Sequence, residues 1–100
     1  MKTLSEKVAD AIKLAKKLKG AHSEISTIYF EFIDEDVAEM RAVGKEYHID
    51  KLKFADYYSA DYYSSVMLHI SDIETYTIFV YSSPLEVEEY IMQNKVMRNV

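Results

Sequence analysis

Carboxylates and phenols are the side chains here that could do chemistry, and they crowd together in two places. The first is a tandem pentapeptide, Ala55-Asp56-Tyr57-Tyr58-Ser59 followed by Ala60-Asp61-Tyr62-Tyr63-Ser64. Tyrosine offers a large amphipathic contact area at little entropic cost, the property that binding surfaces draw on. Set beside aspartate, it suits recognition by an acidic face, so Asp56, Tyr57, Asp61 and Tyr62 are the leading candidate partner-binding residues. A period of five fits neither strand nor helix, so the two copies cannot share one face of one regular element. The plainer alternative is a duplication straddling a turn, with half of the rings buried.

The second place is the acidic run Glu31, Asp34, Glu35, Asp36 and Glu39. Calcium and magnesium need carboxylates spaced by a defined loop, and the EF-hand spacing with its central glycine is missing. A carboxylate pair for acid–base work also needs a cleft and a shifted pKa, which the sequence does not display. A solvated turn that complements a helix dipole accounts for the run without function. Glu35 and Asp36 are nevertheless a second candidate patch. Spaced carboxylates with tyrosines between them would also suit a groove built for phosphates and stacked bases, which makes mimicry of nucleic-acid phosphates toward a basic nucleic-acid-binding protein one form of the idea.

Other chemistries find little support. His22, His48 and His69 are scattered, and with no cysteine in the chain a zinc site or thiol nucleophile has no ligand set. No serine lies in a nucleophile-elbow pattern, and two glycines cannot build a phosphate-cradling loop. No catalytic, metal-binding or cofactor-binding set is expected, and the chain reads as non-enzymatic. A small ligand-binding domain or enzyme using tyrosine and histidine ranks last, because nucleophile, base and orienter cannot be assembled.

The charges are sorted along the chain. Residues 1–20 hold six lysines against Glu6 and Asp10, a net of +4, while residues 21–100 carry a net of −9. Such fields decide which surfaces approach one another. An acidic body repels phosphates, so direct nucleic-acid binding is not expected. No apolar stretch approaches the ~18 residues needed to span a bilayer, and the lysine-interrupted N-terminus lacks a continuous signal segment. Cytoplasmic residence without a membrane partner is the expectation.

Elements must position these groups. Residues 3–19 predict a helix: Thr3 and Glu6 fit a capping box, Leu4, Val8, Ala11, Ile12, Ala15 and Leu18 form a stripe, and Gly20 is the expected stop. Alternation over 24–33 predicts a strand, with Ile28, Phe30 and Phe32 on one face and Thr27, Tyr29 and Glu31 on the other. Residues 37–43 lean to a helix capped by Asp36 and stopped by Gly44. Residues 45–64 lean to extended structure, with Glu46–Ile49 as one candidate strand. Val66, Leu68 and Ile70, then Tyr76, Ile78 and Val80, predict an antiparallel hairpin. Ser83-Pro84-Leu85-Glu86 predicts a closing helix to about residue 95.

One domain over residues 1–100 follows, of the α+β class: an antiparallel sheet of three to five strands, with N- and C-terminal helices packed on one face as a two-layer sandwich. The functional expectation is a small inhibitor or regulator that binds a protein partner through its acidic, tyrosine-rich surface. A structural homo-oligomer, a homodimer for instance, pairing through a sheet edge or the basic helix, is the alternative.

Overall fold

The computed structural model of the chain describes residues 1–49, 51–55, 65–72 and 76–82. Helix α1, Leu4–Ala21, begins where the sequence places it. The Thr3 hydroxyl accepts from the Glu6 amide at 3.2 Å, and the Glu6 carboxylate accepts from the Thr3 amide at 2.9 Å, closing the capping box. Gly20 does not stop the helix; it stays helical through Ala21, with His22 as the cap. Leu4, Val8, Ala11 and Ala15 are the buried stripe.

Strand β1, Ile28–Glu35, follows. Helix α2, Val37–Glu46, is capped by Asp36, whose carboxylate accepts from the Ala38 amide at 3.1 Å. Gly44 lies inside this helix rather than at its end. It is buried, and a Cβ there would sit 3.2 Å from the Ile49 carbonyl oxygen, so glycine leaves room for the chain to turn back at the end of α2. The stop comes at His48, with φ 60°. Its amide donates to the Lys45 carbonyl at 3.2 Å, and the Ile49 amide donates to the Gly44 carbonyl at 2.7 Å. These two bonds make a Schellman motif, so Glu46–Ile49 is a helix end and not a strand. Extended structure appears only at β2, Lys53–Ala55, within the described part of 45–64.

Strands β3, Ser65–Asp72, and β4, Tyr76–Ser82, pair antiparallel as expected, with Leu68 opposite Val80 and Ile70 opposite Ile78. The sheet of described strands has the order β1-β4-β3-β2. It is mixed: β1 runs parallel to β4, whereas the other pairs are antiparallel. Helix α1 lies over β1 and β4, α2 lies over β3, and the helices pack against each other. The α+β class and the two layers therefore hold. The second described helix comes from the middle of the chain, and the helix expected over 84–95 lies outside the described residues.

One sheet face builds the core. Val66, Leu68, Ile78 and Val80 are fully buried against Leu4, Val8, Met40 and Val43 of the helices, with Ile28, Phe30 and Phe32 packed at the margin. Each fully buried aliphatic side chain contributes about 1.5–3 kcal/mol. Val66 pairs with Phe54, which carries this face onto β2.

Candidate partner-binding surface

The other face of the sheet is built by the same alternation read one residue out of phase. Tyr29 and Glu31 of β1, Phe79 and Tyr81 of β4, Met67 and His69 of β3, and Lys53 of β2 occupy its outward positions. Glu31, Phe79 and His69 form one cross-strand row. Phe79 is the hub: the His69 ring stacks on it at 4.7 Å between centroids, Tyr29 at 6.4 Å and Tyr81 at 6.3 Å. Tyr29 is nevertheless 70% exposed and Ile33 50% exposed.

A bulge at the end of β1 shapes the rim of this face. Phe32 pairs with Val80 and Glu35 with Ser82, so three steps along β1 match two along β4. Asp34, with φ 58°, lies within the extra step. An inserted residue reverses the strand's parity. Asp34 stays exposed, and Glu35 turns to the helix side, where its carboxylate pairs with the Lys7 ammonium at 2.6 Å and is 12% exposed. Lys7 also lies over the Phe32 ring, 5.8 Å from its centroid. This ion pair joins the basic helix to the acidic body. Lys13, Lys16 and Lys17 of α1 remain exposed.

The structure thus assigns jobs to the acidic run one residue at a time. Glu35 is held by Lys7 and Asp36 caps α2, so both members of that expected patch have intramolecular partners. Glu39 accepts from the Leu4 amide at 2.9 Å, an acidic group at the positive end of α1. Glu31 and Asp34 are the exposed members on the rim. Asp56, Tyr57, Asp61 and Tyr62 lie outside the described residues. Among the described tyrosines Tyr76 is buried, and Tyr47 is half-buried, its phenol held above the ordinary 10 first by burial and then by the neighbouring Glu46 charge.

The chain matches no protein-family model, no curated protein and no solved structure. Among the described residues, no group of three or more His, Asp or Glu side chains is placed to hold a metal ion. None of the described helices is long and apolar enough to cross a membrane. Geometry must therefore carry the functional reading. What it brings together is a phenol, two exposed carboxylates and Ile33 on one strand, a group that sequence reasoning had split between a core strand and an acidic turn. The signal was available in the outward phase of the 28–32 alternation, which puts Tyr29 and Glu31 on the face away from the core.

Proposed function

We propose that this protein is a binding module, a small inhibitor or regulator, that engages a protein partner through an acidic, tyrosine-bearing surface centred on the outward residues of β1. The observation that carries the reading is Tyr29. Its ring is 70% exposed yet braced against Phe79, with exposed Glu31 two residues on and exposed Asp34 beyond it. An aromatic ring stacked on a neighbour and set next to carboxylates provides amphipathic contact area, and charge that steers a basic partner toward it. Asp56, Tyr57, Asp61 and Tyr62 are proposed as a second contact region of the same chemical kind. A basic nucleic-acid-binding protein is the partner class that fits, its groove occupied by carboxylates in place of phosphates.

Affinity capture from the native host tests the proposal, using the wild type, a Tyr29→Ala/Glu31→Lys variant and an Asp56→Lys/Asp61→Lys variant. A partner captured by the wild type, lost to the first variant and released as salt rises is the expected result. Equal recovery by all three proteins removes both regions from the proposed surface. Equal recovery by the wild type and the first variant, with loss in the second, moves the site to the tandem repeat.

A further inference from the structure

We propose that the outer edge of β1, over Ile28–Phe32, takes up an added strand from a partner segment that alternates apolar residues with lysine or arginine. The inference rests on the binding-module reading and names how the partner would be held.

Strand order is the first ground. Among the described residues β1 pairs along one side only, with β4, and no other described strand takes up the backbone donors and acceptors of its other side. Such an edge is a template for strand addition, and proteins that do not use one usually blunt it with a bulge, a charge or a cover. Here the bulge starts only after Phe32, leaving a regular stretch of five residues, Ile28–Phe32, long enough for ~16 Å of ladder.

Side-chain chemistry on the two flanks fixes the occupant. On the helix side, Ile28, Phe30 and Phe32 are half-buried at the margin of the core, and an apolar residue on an added strand would extend that margin. On the open side stand Tyr29 and Glu31, with Asp34 beyond. A lysine or arginine opposite Glu31 forms a favourable cross-strand pair, and one over Tyr29 adds a cation–ring contact. Glu35 on the helix side is already neutralised by Lys7, so basic residues are called for on the open side alone. A second copy of β1 is the wrong occupant: in an antiparallel pair centred on Phe30 it would set Glu31 opposite the copy's Tyr29 and diagonal to the copy's Glu31, bringing like charges near one another and offering a cation to neither.

The test titrates the ¹⁵N-labelled full chain with a synthetic peptide alternating valine with lysine and arginine. The peptide is N-methylated along one edge, which blocks its self-assembly and leaves the other edge able to pair. Two controls carry glutamate in place of the basic residues, or N-methyl groups on both edges. Expected are amide shifts concentrated in Ile28–Phe32, affinity that falls with salt, a drop of about five- to tenfold in Glu31→Lys, and no such shifts with either control. Equal binding of the doubly methylated peptide, shifts elsewhere on the protein, or no binding at all overturns strand addition. A sedimenting dimer of the unliganded protein at neutral pH overturns it too, in favour of a second copy. Should the peptide fail while the Tyr29→Ala/Glu31→Lys variant still loses its captured partner, strand addition falls and the binding-module reading stands; if capture is unaffected as well, both fall.

Discussion

Asp34 and His48 both hold the left-handed backbone conformation, with φ of 58° and 60°. A Cβ in that region meets the neighbouring carbonyl, at a cost of roughly 1–2 kcal/mol for most residues, which is why glycine is the usual occupant. At Asp34 the conformation belongs to the bulge that sends Glu35 to Lys7 and leaves Asp34 itself on the rim. At His48 it ends α2, and the exposed imidazole has no hydrogen bond in the motif, which is made by backbone alone. His48→Gly should therefore stabilise the protein by roughly 0.5–1 kcal/mol, the relief of strain less the greater freedom glycine gives the unfolded chain. Urea unfolding checks this: the midpoint should rise with the slope unchanged, and His48→Ala should show no such gain. Sequence reasoning assigned the two stops to Gly20 and Gly44 because glycine is the strongest local signal. It failed because Gly44 leaves room for the Ile49 carbonyl where the chain turns back, and Gly20 is tolerated within a long helix.

At the scale of elements, the legible parts were those in which one periodicity and one cap agree. Helix α1 has both; the strand from Tyr76 buries every second residue, β3 does so from Val66 on, and β1 half-buries Ile28, Phe30 and Phe32 in the same alternation. What local pattern could not convey is which strands become neighbours. The parallel contact of β1 with β4 joins segments on either side of α2, β2 and β3, and no short-range feature encodes it. The candidate surface shares that limit, since Tyr29 and Glu31 could be placed on an outward face but not on an outer strand. A small polar lock helps end the β3–β4 pair. Ser82 is buried; its hydroxyl accepts from the Val66 amide at 3.0 Å, and its carbonyl accepts from the Ser65 hydroxyl at 2.8 Å. Ser82→Ala strands the Val66 amide in a dry place, at a cost of about 1–3 kcal/mol. Ser65→Ala should cost less, because the Ser82 carbonyl then loses one acceptor bond and no buried donor is orphaned. Thermal or urea unfolding of the two variants should give that order, and the reverse order would mean that the Val66 amide finds another partner.

For the molecule as a whole, the sorted charges have a consequence that no single residue carries. The basic helix lies on the covered side of the sheet and touches the acidic body through Lys7 and Glu35, so the acidic rim of β1 is not cancelled by the lysines as a block. Stripped of charge, the stretch from Ile28 to Ile33 is β-branched and aromatic, with large apolar groups on both flanks, the composition of a self-pairing edge. Glu31 and Asp34 then have two roles at once: they attract a basic strand and they repel a second copy. Glu31→Gln with Asp34→Asn removes the repulsion and leaves the fold in place, because both sites are exposed and asparagine accepts the left-handed conformation at position 34 readily. This variant should self-associate at neutral pH, measured by sedimentation velocity at rising protein concentration, under conditions where the wild type stays monomeric. High salt should push the wild type partway toward the variant by screening the same charges. A variant that sediments as a monomer throughout would show that something other than the carboxylates guards the edge, and Ile28–Phe32 would then be too well protected for strand addition to be its use.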